Sequence, residues 1–292
     1  MASNAIHAAE ASGWLAPDEV HVWRIPVDAP GAAARDPGQL LTATEQARAA
    51  RFSLAEDRCR FQTTRAATRC ILGRYLGLAP AQVGIELDRL GKPQLDASSL
   101  PVDRLVHFNV SHAGSWILAA FARSFPVGID VERLKAKGVT EALIEYCMAD
   151  RERRTLKTLP KEKQIAAFFK CWTSKEAWLK GLGVGLTLPL KAIEVSIDPD
   201  QPAQLLAAPP EHSPGDWHLS TLEFSEPYAA TLAVGAKSAA IVDISVDSWR
   251  NINGDVSLDG PMIQAYAPTH IWSARHDFRS RFPPLLRRIR RL

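Results

Sequence analysis

His107–Phe121 reads HFNVSHAGSWILAAF, and His218–Val234 reads HLSTLEFSEPYAATLAV. Each is a pair of β-rich runs around a short break, the pattern of an antiparallel hairpin, with the first bent at Ala113-Gly114. Outward from these hairpins the chain repeats its own grammar at an offset of a little over a hundred residues. CILGRYLGL (Cys70–Leu78) and the strand Ile85-Glu86-Leu87 match AWLKGLGVGL (Ala177–Leu186) and Ile193-Glu194-Val195. Val20–Val27 corresponds to Val127–Val131, and Leu54-Ala55-Glu56 to Met148-Ala149-Asp150. A self-similar chain of this kind is two copies of one unit. The expected fold class is therefore α+β, with two pseudo-symmetric α+β halves in one chain and a site in the cleft between them. The division falls near residue 125: residues 1–17 as a disordered start, 18–125 as the first half, 126–240 as the second, and 241–292 as a C-terminal extension.

Within that frame Thr44 is expected to cap a short helix running toward Arg51, and a longer helix spans Ala55–Leu76 and ends at Gly77. Val83–Leu87 is a short strand and Gly91-Lys92-Pro93 a turn. Helical patterns return at Glu141–Cys147, Asp150–Leu156 and Lys163–Lys180, the last expected to stop at Gly181. Strands follow at Ile193–Ile197, Trp217–Phe224 and Tyr228–Val234.

With 292 residues, 46% hydrophobic and 23% charged, the chain has a globular composition, and its longest unbroken apolar run, Trp116–Ala122, is too short to span a bilayer. The start lacks a basic segment followed by an apolar block, so the expected location is cytoplasmic. Cys59, Cys70, Cys147 and Cys171 show no CxxC spacing and read as reduced thiols. The formal charge of +3 is uneven: from Arg275 onward the net charge is +6, leaving −3 on the rest. That tail, interrupted by Pro283-Pro284, reads either as a solvated or loosely docked terminus or as a surface for nucleic acid or lipid headgroups. Bulk charge does not decide the function, and no nucleic-acid partner is expected. The internal duplication makes a monomer the expected state.

The sharpest local feature is Val127-Gly128-Ile129-Asp130-Val131-Glu132, two carboxylates one residue apart on an apolar strand. Strand alternation points Asp130 and Glu132 the same way. Either the strand end runs into solvent, or a cation lies between two anions that otherwise repel. The run Trp172–Lys180, WTSKEAWLK, places Glu176 and Lys180 four apart on a helix rich in buried-type aromatics, where an exposed ion pair fits poorly. Asp130, Glu132 and Glu176 together suit a hard divalent ion such as Mg²⁺, which takes oxygen ligands and phosphates. Arg48, Arg51, Arg60, Arg65 and Lys92 supply candidate phosphate partners. Ser111 and His112, adjacent on a strand, face opposite ways and cannot act as a nucleophile and base by themselves; His112 is either structural or a donor to phosphate. Gly181–Gly185 follows a helix and so supports neither a dinucleotide fingerprint nor a P-loop.

Taken together, RAARF (Arg48–Phe52), GKP (Gly91–Pro93), FNVSHAG (Phe108–Gly114), VGIDVE (Val127–Glu132) and WTSKEAWLKGLG (Trp172–Gly183) resemble the 4′-phosphopantetheinyl transferases of the surfactin-synthetase-activating type, over roughly residues 18–240. That resemblance implies transfer of 4′-phosphopantetheine from coenzyme A to a serine of an apo acyl or peptidyl carrier protein, Mg²⁺-dependent, with release of adenosine 3′,5′-bisphosphate. It implies Asp130, Glu132 and Glu176 as metal ligands, with Glu176, Lys180 and Glu132 in the chemistry. Ser111 and His112 are implied near the phosphates of coenzyme A, and Arg48, Arg51, Arg60 and Lys92 around its nucleotide end. Glu176 is the preferred acceptor of the serine proton, and Lys180 neutralises or protonates the departing bisphosphate. Cys147 stands where such proteins commonly carry an aromatic, and the tail with Trp272 is outside the shared pattern; its arginines are a candidate long-range attraction for an acidic carrier. Two rivals use the same residues: another Mg²⁺-dependent phosphate enzyme acting without a protein acceptor, and a non-catalytic duplicated scaffold.

Overall fold

The computed structural model of the chain describes residues 15–28, 37–96, 98, 100–101, 104–223 and 227–244. In chain order the elements are β1 (Glu19–Pro26), α1 (Ala43–Ala49), α2 (Ala55–Leu76), β2 (Ile85–Leu87), β3 (Pro93–Leu95), β4 (His107–Ala113) and β5 (Trp116–Ala122). They continue with β6 (Val127–Arg133), α3 (Glu141–Cys147), α4 (Asp150–Thr158), α5 (Lys161–Leu182), β7 (Glu194–Val195), β8 (Leu205–Ala207), β9 (His218–Thr221), β10 (Tyr228–Val234) and β11 (Ala240–Ile244). These fall into two compact units, one holding residues 15–86, 94–124 and 239–244 and the other 87–93 and 125–238.

In the first unit the strand order is β11-β1-β5-β4, with β5 antiparallel to both neighbours and β11 parallel to β1. In the second it is β6-β10-β9, antiparallel throughout. Without β11 the two sheets have one topology, and each is covered by a 22-residue helix, α2 or α5. Both helices end on a glycine in the left-handed region, Gly77 (φ 67°) and Gly183 (φ 75°), where a side chain is penalised.

The first unit's core gathers Trp23, Ile25, Ala67, Ile71, Leu72, Ile117 and Phe121, and Leu15 is buried in it, so the packed chain begins before the expected boundary at Pro17. The strand Ala240–Ile244, lying largely in what the sequence suggests is an extension, pairs with β1 here. The start of the chain and the basic tail fall outside the described residues. α1 is capped by Thr42 and not Thr44. A capping box needs an acid three residues on, and Glu45 stands there for Thr42, accepting from its N–H at 3.0 Å while Thr42 Oγ1 accepts from the Glu45 N–H at 3.3 Å.

One polar network is built into this core. The Tyr75 hydroxyl accepts from Trp23 Nε1 at 2.8 Å and lies 2.7 Å from His21 Nδ1, while His21 Nε2 is 3.3 Å from Glu19 Oε2. The tautomer that satisfies all three groups is neutral, with Tyr75 donating to Nδ1 and Nε2–H donating to Glu19. Burial holds the His21 imidazole below its ordinary value of 6.5, against an opposing pull from Glu19. The unfolded chain thus binds a proton more readily than the folded one, and stability falls as pH drops through 6.5 toward the lowered folded value. Denaturant melts between pH 7.5 and 5.5 should show this loss, with a shallower slope in His21→Gln.

The second unit's core is α5 against β6 and β10, with Leu143, Met148, Phe168, Trp172, Trp178 and Leu219 among its buried members. The helix lies unusually close to the strand. A Cβ at Gly128 would stand 1.9 Å from the Ala177 carbonyl oxygen and 2.3 Å from the Gly181 nitrogen, and one at Gly181 would meet Trp217 Cζ3 at 2.6 Å. Gly181 therefore sits inside α5 as a contact residue, and the helix stops two residues later than its sequence suggests. Gly128→Ala should cost about 1–3 kcal/mol or more, because the obstruction is backbone that cannot rotate aside; a lowered urea midpoint at unchanged slope would show it.

Candidate active site

The face of β6 that meets α5 carries Gly128, Asp130 and Glu132, since alternate residues of a strand share a side. Opposite them in register on β10 stand Ala233, Thr231 and Ala229. Small residues at one end let the helix descend onto the strand. Asp130 is 2% exposed and Glu132 half-buried, so the strand end does not simply run into solvent.

From the helix, Lys180 Nζ donates to Asp130 Oδ1 and to the Ile129 carbonyl at 3.3 Å. Glu176 lies one turn earlier and is 5% exposed. A further turn back, Thr173 Oγ1 is 2.9 Å from Thr231 Oγ1, and Ser174 Oγ lies 3.4 Å from the same atom. In the sequence the only signal for this hydroxyl cluster is TS immediately before KEA and a lone threonine in YAATLAV, too little to mark it as a site. Lys92, expected at a nucleotide, donates from Nζ to the Lys180 carbonyl at 2.6 Å and the Gly181 carbonyl at 3.4 Å. It thereby caps the C-terminal end of α5, where a cation also meets the negative end of the helix dipole. Burial lowers its pKa, with Asp88 pulling the other way.

The remaining predicted residues belong to the first unit. Arg48 is half-buried on α1 with its guanidinium carbon 5.2 Å from the centroid of the Phe61 ring. Arg51 is exposed just beyond that helix. Arg65, on the same ring at 5.6 Å, is held down to about 10 by burial. Glu45 links these elements, pairing with Arg69 at 2.9 Å and Arg65 at 3.5 Å. Arg60 donates to Asp57 at 2.9 Å and to the Gly114 carbonyl at 3.2 Å, so it steadies the turn that follows the strand bearing Ser111 and His112. On β4 those two alternate as expected: His112 is exposed, and Ser111 is 7% exposed beside equally buried Asn109. A cavity of about 550 Å³ on the second unit is lined by residues such as Pro199, Leu205, Trp217 and Thr221, and contains none of the predicted site residues.

Among the described residues no group of three or more His, Cys, Asp or Glu side chains is placed to hold a metal ion, so Asp130, Glu132 and Glu176 do not gather as a three-ligand set. The acids on β6 and α5 are nonetheless the donors that Mg²⁺ accepts, since that ion usually takes one or two carboxylates together with waters and substrate phosphates.

Comparison with known proteins shows the family of the chain. The profile of the 4′-phosphopantetheinyl transferase superfamily matches residues 126–233, and that of the 4′-phosphopantetheinyl transferase N-terminal region matches residues 35–123. The 4′-phosphopantetheinyl transferase HetI of Nostoc sp. (strain PCC 7120) is 38% identical over 220 residues, covering 75% of this chain and 89% of its own. Sfp, the 4′-phosphopantetheinyl transferase of Bacillus subtilis (strain 168), is 30% identical over 178 residues, 61% of this chain and 75% of its own. A holo-(acyl-carrier-protein) synthase from Bacillus anthracis solved in complex with CoA is 25% identical, covers 37% of this chain and 93% of its own, and superposes with a TM-score of 0.32. The chain belongs to the 4′-phosphopantetheinyl transferase family and is a transferase.

The Lys180–Asp130 contact makes a stability prediction that is independent of catalysis. Lys180→Met removes the ammonium from a carboxylate that is 3% exposed and should cost about 1–3 kcal/mol. Adding Asp130→Asn should recover part of that loss, giving a coupling of about 0.5–3 kcal/mol in a double-mutant cycle of urea melts.

Proposed function

We propose that the protein transfers 4′-phosphopantetheine from coenzyme A to a serine hydroxyl of an apo acyl or peptidyl carrier protein, with Mg²⁺ as cofactor and adenosine 3′,5′-bisphosphate as the released product. The observation that carries this reading is one strand face, Asp130 and Glu132, covered by the helix bearing Glu176 and Lys180, with Lys180 reaching Asp130. Membership of the transferase family supports this reading.

Asp130, Glu132 and Glu176 are the residues that would hold Mg²⁺, which when bound neutralises pyrophosphate oxygens. Glu176 accepts the proton of the carrier serine, directly or through water, because a serine hydroxyl is a weak nucleophile at neutral pH. Glu132 keeps negative charge beside it. The serine oxygen forms a new bond to the β-phosphorus as the bond from that phosphorus to the bridging oxygen breaks. The departing oxygen leaves with adenosine 3′,5′-bisphosphate, and the Lys180 ammonium neutralises or protonates it. Arg48, Arg51, Arg60, Lys92, Ser111 and His112 bind phosphates and the nucleotide end of coenzyme A. For Arg60 and Lys92 this role is shared with the internal carbonyl contacts described above. The free thiols Cys59, Cys70, Cys147 and Cys171 accord with a cytoplasmic location, and two units within one chain with a monomer. No helix among the described residues is long and apolar enough to cross a membrane.

The test is incubation with coenzyme A, Mg²⁺ and a panel of apo carriers, read by intact mass. One carrier should gain a phosphopantetheine on serine, with EDTA abolishing the gain and added Mg²⁺ restoring it. Asp130→Ala should abolish transfer, and Glu176→Gln should lower kcat by about 10²–10³, the scale of one lost transition-state stabiliser. No gain on any carrier, or nucleotide turnover without one, overturns the proposal.

A further inference from the structure

On the side of α5 turned away from β6, the helix buries a second charged group that the chemistry above does not use. Lys175 is fully buried, and its ammonium makes three hydrogen bonds: to Glu152 Oε2 at 2.6 Å, to the Cys147 carbonyl at 2.9 Å and to the Leu190 carbonyl at 3.0 Å. An ammonium has three donors, and all three are taken. Glu152, 3% exposed, is used as completely. Oε2 also accepts from the Ala149 N–H at 2.7 Å, and Oε1 accepts from the Val195 N–H at 2.8 Å. One ion pair therefore ties α5 to the end of α3, the start of α4, the turn at Leu190 and strand β7.

Such a pair is a poor source of stability. Removing two charges from water offsets most of their attraction, and apolar residues of similar shape often serve as well. What the pair supplies is direction: three bonds of fixed geometry converge on the Lys175 ammonium of α5, and two backbone N–H groups fix the Glu152 carboxylate that receives one of them, a directional constraint that apolar packing does not provide. Glu176 is the next residue, and Lys180 follows a turn later. Lys170 repeats the device further back, donating to the Asp198 carbonyl at 2.7 Å and to the Gln201 carbonyl.

We propose that Lys175 and Glu152 are positioning residues, a buried clamp that sets the rotation and axial position of α5 and so places Glu176 and Lys180 against β6. The inference rests on the transferase reading for its kinetic arm and on the structure alone for its spectroscopic arm. Trp178 on the same helix stands edge-on to His212 at 5.6 Å and to Trp217 at 6.4 Å, so near-ultraviolet circular dichroism reports the helix rotation without any substrate.

The experiment compares the wild-type full-length protein with Glu152→Gln and with the apolar pair Lys175→Met/Glu152→Leu. The apolar pair should hold its melting temperature within a few degrees of wild type, yet show an altered Trp178 signature. Its kcat for carrier modification should fall at least tenfold, with KM for coenzyme A within about twofold. Glu152→Gln should show the same kinetic split with a lower melting temperature. An apolar pair with wild-type kcat and an unchanged near-ultraviolet spectrum overturns the clamp, as does a loss confined to KM. Should the wild-type protein modify no carrier, the transferase reading fails, and the spectrum of the folded apolar pair still decides the clamp.

Discussion

The approach of helix α5 to strand β6 is the constraint on which the second unit depends. Gly128 leaves no side chain in the path of the Ala177 carbonyl and the Gly181 nitrogen, so helix and strand meet at backbone contact. At that distance a lysine on the last turn reaches an aspartate two residues along the strand, and the hydroxyls of Thr173 and Thr231 meet across the same gap. A larger residue at Gly128 would lift the helix and part these groups together. The polar geometry is thus a consequence of steric absence, and it is shared by every group on that helix face.

Comparing the two units in register shows how one topology came to hold two chemistries. The pairing of Val20–Pro26 with Ala122–Trp116 on β5 has its counterpart in the pairing of Val127–Arg133 with Val234–Tyr228 on β10. On this correspondence the helix-facing positions His21, Trp23 and Ile25 of β1 match Gly128, Asp130 and Glu132 of β6. The first unit fills the space under its helix with aromatic and aliphatic bulk, and satisfies its one imidazole internally. The second has no side chain at Gly128 and carries carboxylates at the next two positions of that face, Asp130 and Glu132. A core can become an acidic site on the same scaffold because the alternation of the strand is preserved while the volumes beneath the helix are not.

The duplication, both hairpins, the long helix Ala55–Leu76 and the pairing of Asp130 with Glu132 on one face were legible in the sequence, because each rests on periodicity, and periodicity survives without knowledge of contacts. Where the chain departs from the reading, the cause is non-local. Gly181 looks like a helix stop, since glycine is a weak helix former, but here the missing Cβ is required by Trp217 and the neighbouring strand. Thr44 looks like a cap until the position of Glu45 is counted. The turn lysine Lys92 carries no signal that its partner is a helix end 88 residues away. Short strands such as Pro93–Leu95, Leu205–Ala207 and Ala240–Ile244 escape notice because a few residues hold too little alternation to stand out.

Helix α5 itself resolves an apparent contradiction in its sequence. It buries Lys170 and the run Thr173–Glu176, which in an isolated helix would be prohibitively costly. Lys170, Thr173, Ser174 and Lys175 each meet a partner supplied by another part of the unit or by the preceding turn: backbone carbonyls for both lysines with the Glu152 carboxylate added for Lys175, and a strand hydroxyl for Thr173 and Ser174. Apolar residues alone would bury such a helix as firmly. They would not fix its angle, because dispersion and the hydrophobic effect have little directional preference. A catalyst of phosphoryl transfer works chiefly by holding charges in place, so spending burial on directional bonds at the back of the helix is what allows its front to present a lysine and a glutamate at set positions.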